Sequence, residues 1–135
     1  MPPKKKDSPE GEQPALRVVV ADDDRDVVMT LAFILQDEGY EVRRAYNGRE
    51  ALTVVDEFQP DAVVLDIAMP EPNGWEVARR IRDMGRGARP LLIAISGQYT
   101  KAVDRAITDA AGFDYFCAKP CDPKRVLEWL AKLKA

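Results

Sequence analysis

The chain contains no histidine. That absence excludes histidine-ligated zinc and haem, Ser-His-Asp and Cys-His catalysis, and phosphohistidine chemistry within the chain itself. Only two cysteines are present, too few for a disulfide framework or a four-thiolate zinc site. No apolar run approaches the roughly 18–20 residues that span a bilayer, and the first residues lack the charged-then-apolar order of a secretory signal. Net charge is −3, so a broad phosphate-binding surface for nucleic acid is not expected. What is there is globular: 135 residues, 46% hydrophobic and 32% charged, the size of one domain. The expectation is a cytoplasmic domain with no membrane contact and no direct nucleic-acid binding. Its chemistry must come from carboxylates, hydroxyls and amines.

Residues 1–14, MPPKKKDSPEGEQP, hold four prolines and no apolar residue beyond Met1. They cannot bury enough surface to offset their ordering entropy, which predicts a disordered tail. Lys4, Lys5 and Lys6 balance Asp7, Glu10 and Glu12, so the net charge falls on residues 15–135. The lysine run reads as part of a solvated tail rather than as a docking or targeting element.

From residue 17, short apolar runs alternate with helix-period stripes. Strands are expected at 18–21, 41–46, 62–65, 91–95 and 113–118. The first helix carries Val27, Val28, Leu31, Ile34 and Leu35 at spacings of three and four, with Asp24 as its N-cap. A second follows Asn47 with Ala51, Leu52 and Val55. A third carries Val77, Ile81 and Met84, a fourth spans 99–111, and a fifth spans 122–133 with Val126, Leu127, Leu130 and Leu133 on its apolar face. Five strands alternating with five helices imply right-handed crossovers and a doubly wound, flavodoxin-like α/β fold. Strands one, three and four are continuously apolar, as central strands should be, whereas Glu41, Arg43 and Arg44 mark strand two as an edge. The order 2-1-3-4-5, with helices on both faces, follows. Its ligand site belongs at the strand carboxyl ends, beside the switch point between strands one and three.

Each central strand ends in a reactive group. Strand one runs into Asp22-Asp23-Asp24, strand three ends at Asp66, strand four at Ser96, and strand five at Lys119-Pro120. Singly, these read as turn formers, caps and a surface lysine. Together they place carboxylates, a hydroxyl and an ammonium in one crevice. Crowded carboxylates repel unless a cation joins them, and an all-oxygen set suits Mg²⁺, with Mn²⁺ as the alternative ion. A carboxylate beside such an ion can attack phosphorus to give an acyl phosphate, while Ser96 and Lys119 hold the phosphoryl oxygens.

VVVADDD at 18–24, VVLDIAMPEPNG at 63–74, AISG at 94–97 and DYFCAKP at 114–120 resemble the receiver domain of two-component response regulators, in order and at receiver spacing. The resemblance covers about residues 16–134 and implies a receiver over 15–135. It makes Asp66 the phosphoacceptor and Asp22 and Asp23 the acid pair, with Asp23 the more direct ligand. The backbone carbonyl of Ala68 becomes a further metal ligand. Ser96 takes the switch hydroxyl position, Lys119 the phosphate-pairing lysine, and Phe116 the switch aromatic; the Lys119-Pro120 peptide is implied to be cis. It further implies a histidine kinase or histidine phosphotransfer protein as donor, and a downstream protein target met by the fourth helix, fifth strand and fifth helix. Such a domain is a phosphoacceptor with self-catalysed phosphotransfer and slow autodephosphorylation, not an enzyme in the ordinary sense.

Serine stands where threonine is commoner, and phenylalanine where tyrosine is frequent; the switch keeps its hydroxyl and its ring. A haloacid-dehalogenase-type phosphatase would need an acid where Ala68 stands. Two alternatives remain: a receiver used only as a binding module, and a receiver belonging to a larger hybrid kinase or multidomain regulator, since no output domain follows Ala135. Cys117 reads as strand packing and Cys121 as a loop thiol, rather than as a redox pair. Trp129 reads as partly exposed on the last helix, by amphipathic packing.

Overall fold

The computed structural model describes residues 14–85, 89–98 and 101–134. The strands are β1 (Arg17–Ala21), β2 (Glu41–Ala45), β3 (Ala62–Asp66), β4 (Leu91–Ser96) and β5 (Tyr115–Ala118). The helices are α1 (Arg25–Asp37), α2 (Gly48–Phe58), α3 (Gly74–Met84), α4 (Ala102–Ala110) and α5 (Pro123–Ala131), followed by a 3-10 turn at Lys132–Lys134. All strand pairs are parallel, in the order β2-β1-β3-β4-β5. The doubly wound topology expected from the alternation is therefore the one observed.

The period of two along each strand divides the core between the faces of the sheet. Val19, Ala21, Val63, Leu65, Leu92 and Ala94 pack on the α2–α3 side with Val55, Phe58, Val77 and Ile81. Val18, Val20, Val64, Ile93 and Ile95 pack on the other side with Val28, Leu31 and Leu35 of α1 and Val126, Trp129 and Leu130 of α5. Each fully buried aliphatic side chain contributes about 1.5–3 kcal/mol by leaving water. β3 is buried at all five positions, while β2 exposes Glu41, Arg43 and Arg44 at the edge.

Side-chain caps start the helices at fixed residues. Asp24 accepts from the N–H groups of Asp26 and Val27. Asn47 accepts from Glu50 N–H at 2.8 Å, and Asn73 from Glu76 N–H at 3.0 Å. α4 differs from the others in burying a single residue, Thr108. The Trp75 indole of α3 donates to the Thr108 hydroxyl at 3.0 Å.

Several expectations are corrected. β5 begins at Tyr115, and Phe113 is buried just ahead of it. The last helix ends at Ala131, so Leu133 lies in the 3-10 turn and is exposed. Trp129 is buried rather than partly exposed, because its ring stacks on Tyr115 with centroids 4.7 Å apart. Residues 1–13 of the expected tail, and residues 99–100 of the expected fourth helix, lie outside the described residues. Among the described residues, no helix is long and apolar enough to cross a membrane.

Gly74 opens α3 directly against the end of β3. A Cβ there would stand 2.5 Å from the Asp66 carbonyl oxygen and 2.6 Å from the Ile67 Cα, and backbone cannot yield as a flexible side chain can. Gly74→Ala is expected to lower stability by about 2 kcal/mol, as overpacking of a filled interior does. Urea denaturation of the two proteins checks this; an unchanged midpoint would contradict it.

Candidate functional site

The parallel sheet brings the carboxyl ends of β1, β3, β4 and β5 to one edge. Asp22 follows β1, and its N–H donates to the Ala45 carbonyl at 3.2 Å, which continues the ladder one residue past the strand. Asp66 is the last residue of β3 and pairs in register with Ile95. Ser96 ends β4. The Lys119 N–H donates to the Ser96 carbonyl at 2.9 Å, so the lysine backbone is held beside the β4 terminus.

The side chains converge accordingly. Lys119 Nζ lies 2.9 Å from Asp22 Oδ2 and 3.5 Å from Asp66 Oδ2. The remaining oxygens of the two aspartates are taken by backbone: Asp24 N–H donates to Asp22 Oδ1 at 2.9 Å, and Ala68 N–H donates to Asp66 Oδ1 at 3.1 Å. Asp22 and Asp66 are buried, whereas Asp23 is exposed. One carboxylate oxygen from each of the three lies within 4.8 Å of the others.

This donor set fits a hard divalent ion. It is all oxygen, it comes from two rigid strand ends, and its exposed member leaves room for the waters that Mg²⁺ retains. Asp22, Asp23 and Asp66 would hold it. Ala68, whose carbonyl the resemblance adds to that set, sits two residues past Asp66 and is half-buried.

Burial, then the neighbouring Asp22 charge, push the Asp66 carboxyl up from 3.8 to about 6, against the opposing pull of the Ala68 N–H and Lys119. Burial acts on Lys119 in the opposite sense, lowering it, but the hydrogen bond to Asp22 and the charges of Asp66 and Asp22 outweigh this and the ammonium is raised overall. Lys119 is therefore a fixed cation, while Asp66 holds the site's adjustable proton.

Ser96 is fully buried and its Oγ accepts from the Gln98 N–H at 3.1 Å. Phe116 is half-buried and packs against the α2–α3 core, with the Arg105 guanidinium of α4 lying 4.4 Å above its ring. The structure thus brings Asp22, Asp23, Asp66 and Lys119 into one pocket, sets Ser96 beside Lys119 through the backbone, and places Phe116 one strand position from Cys117 on the opposite face.

The Lys119-Pro120 peptide is cis, as the resemblance implied; the Glu71-Pro72 peptide is cis as well and was not anticipated. The two cysteines are a correction. Cys117 and Cys121 form a disulfide with Cα atoms 5.7 Å apart, so neither is a free thiol; their spacing of four around a proline turn was the available signal. Sequence reasoning also missed Arg82. It donates to the carbonyls of Gly112 and Pro90 and to Asp114, and it ties α3 to the segments before β4 and β5.

Comparison with known proteins places these observations in a family. The model of the response regulator receiver domain matches residues 18–131. The chain is 36% identical over 118 residues to the chemotaxis protein CheY of Thermotoga maritima, covering 87% of this chain and 96% of that one. It is 38% identical over 120 residues to the response regulator MprA of Mycolicibacterium vanbaalenii, covering 89% of this chain but 49% of that one. Among solved structures, a CheY-like receiver domain protein from Methanospirillum hungatei superposes with a TM-score of 0.80 at 26% identity, over 87% of this chain and 92% of that one.

The raised Asp66 carboxyl has a consequence for stability. An acid whose pKa is higher folded than unfolded stabilises the fold below the unfolded value, and that contribution is lost as pH rises through the folded value. With divalent ions chelated, Asp66→Asn is expected to be more stable than the parent near pH 7 by about 2–3 kcal/mol, the gap closing toward pH 4. Chemical denaturation across that range checks it; a gap independent of pH would contradict it.

Proposed function

This chain belongs to the response-regulator receiver domains, and on that footing we propose that Asp66 accepts a phosphoryl group from a phosphohistidine on another protein. The observation that carries the reading is the pocket itself: a buried carboxylate, two further acids and an ammonium within bonding reach at the sheet's carboxyl edge. The donor is a histidine kinase or a histidine phosphotransfer protein, since the chain has no histidine of its own.

In the transfer, an Asp66 carboxylate oxygen attacks the phosphorus. The P–O bond forms as the P–N bond to the imidazole breaks, and the imidazole leaves on the donor protein. With its pKa near 6, Asp66 is mostly ionised at neutral pH and available as the nucleophile. Ala68 N–H fixes one carboxylate oxygen, which limits rotation and presents the other to the incoming group. Lys119 stands where it can exchange part of its contact with Asp22 for a phosphoryl oxygen. Asp22, Asp23 and Asp66, with the Ala68 carbonyl, would hold a divalent ion, which when bound would neutralise charge on the phosphoryl oxygens.

Ser96 then hydrogen-bonds a phosphoryl oxygen, giving up its present contact with the Gln98 N–H. The space it leaves admits the Phe116 ring, which moves away from the Arg105 guanidinium. That exchange alters the surface shared by α4, β5 and α5, where a downstream protein would read the state. α4, with one buried residue, is the least anchored of the five α-helices against such a shift. We place the domain, over residues 15–135, in the cytoplasm as a phosphoprotein of a two-component relay. Its phosphoryl chemistry ends in slow autodephosphorylation.

Asp66→Asn should abolish Mg²⁺-dependent labelling by acetyl phosphate; undiminished labelling would remove Asp66 as the acceptor. Lys119→Gln keeps the acceptor but loses a charge-assisted contact of about 1.5–3 kcal/mol, and should slow labelling about 10–100-fold. Labelling at the parental rate would show that Lys119 does not touch the transferring group. A protein that folds but neither binds Mg²⁺ nor accepts a phosphoryl group would be a receiver used purely for binding.

A further inference from the structure

The Cys117–Cys121 bridge closes a five-residue ring that contains Lys119 and Pro120. Cys117 lies in β5, on the α1–α5 side of the core, and is buried. Cys121 lies past the turn and is half-exposed. The bridge adds no tie at the scale of the fold: its ends are four residues apart, and the Lys119 N–H to Ser96 carbonyl bond already fastens this turn to β4. Apart from the two cysteines themselves, many other buried residues join the sheet to its helices on both faces. Its mechanical effect is therefore confined to residues 118–120. Among these, Lys119 has its ammonium 2.9 Å from Asp22 and 3.5 Å from Asp66.

An apolar cleft of about 510 Å³ between α1 and α5 has Cys121 in its wall, together with Lys119, Pro120 and Val126. A small molecule can thus approach Cys121 from the cleft, whereas Cys117 is buried and does not line it. Intracellular disulfides that are not needed to hold a fold are characteristically transient and redox-sensing.

We infer that Cys117 and Cys121 form a reversible dithiol–disulfide site, oxidised by low-molecular-weight disulfides, whose state sets the grip of Lys119 on the acidic pocket. This rests on the reading of that pocket as a cation site. In the oxidation, the Cys121 thiolate attacks one sulfur of the small disulfide. The first small thiol leaves and takes up the proton that Cys121 released. The Cys117 thiolate then attacks the Cys121 sulfur of the mixed disulfide and expels the second small thiol, which takes up the Cys117 proton. Two protein thiols are oxidised, one small disulfide is reduced to two thiols, and no other reactant is required. With the ring closed, the Lys119 ammonium is held against Asp22 and Asp66 and competes with a cation for their oxygens. With the ring open, the turn gains freedom and the ammonium yields.

The test uses the whole chain, reduced with dithiothreitol or treated with excess oxidised glutathione. Its redox state is read by alkylation and mass measurement, and Mg²⁺ affinity by titration calorimetry. The oxidised protein should show no alkylatable thiol and bind Mg²⁺ at least about threefold more weakly, the regime of a modest electrostatic competition. Cys121→Ser should keep the reduced-state affinity under both treatments. Two thiols persisting in excess oxidised glutathione, or equal affinities in the two states of the parent protein, would overturn the inference without recourse to any variant. Should neither state bind Mg²⁺, the cation-site reading fails. The amide resonances of Asp22 and Asp66 in metal-free protein then decide the remaining point: a shift between redox states supports the coupling, and coincident spectra overturn it.

Discussion

One ammonium group holds the site together. Asp22 and Asp66 are both buried, and two such carboxylates side by side would repel strongly in an environment poorer in water than the surface. Lys119 stands between them, with Asp22 the nearer partner. Burial first, and the Asp22 charge second, keep the Asp66 carboxyl raised to about 6 even with the lysine in place. Three carboxylates against one ammonium leave the cluster net negative, and a divalent ion would offset that charge.

That arrangement depends on the sheet. Parallel pairing puts all carboxyl ends on one edge, and the 2-1-3-4-5 order makes β1 and β3 neighbours, so acids that lie 44 positions apart in sequence meet. β3, buried on both faces, gives Asp66 a rigid platform. α3 begins so close to it that only glycine fits at position 74. The strand that carries Asp66 is thus buried along its whole length, whereas α4 buries Thr108 alone.

Much of this was legible in the sequence, for physical reasons. Continuous apolar runs at 18–21 and 62–65 identify central strands because both faces must be covered. The charges of Glu41, Arg43 and Arg44 identify an edge because they can only point to water. Asp24 and Asn47 announce helix starts because their side chains satisfy otherwise unpaired N–H groups. What failed to show depends on relations between distant elements. The burial of Trp129 follows from the Tyr115 ring across from it, and the role of Arg82 from carbonyls at Pro90 and Gly112. The helical stripe ran past the true end of α5 at Ala131 and took in Leu133, which the 3-10 turn directs outward. The bridge between Cys117 and Cys121 was hidden because each cysteine, taken alone, has an ordinary place in a strand or a loop.

The two tryptophans occupy opposite faces of the sheet. Trp129 is stacked on Tyr115, where α5 meets β5. Trp75 reaches from α3 to bond the only buried side chain of α4, Thr108. The chain has no third indole. Replacing either one therefore leaves a single native optical gauge, on the seam between α3 and α4 or on the seam between β5 and α5, so the two sides of the domain can be followed one at a time without any added dye.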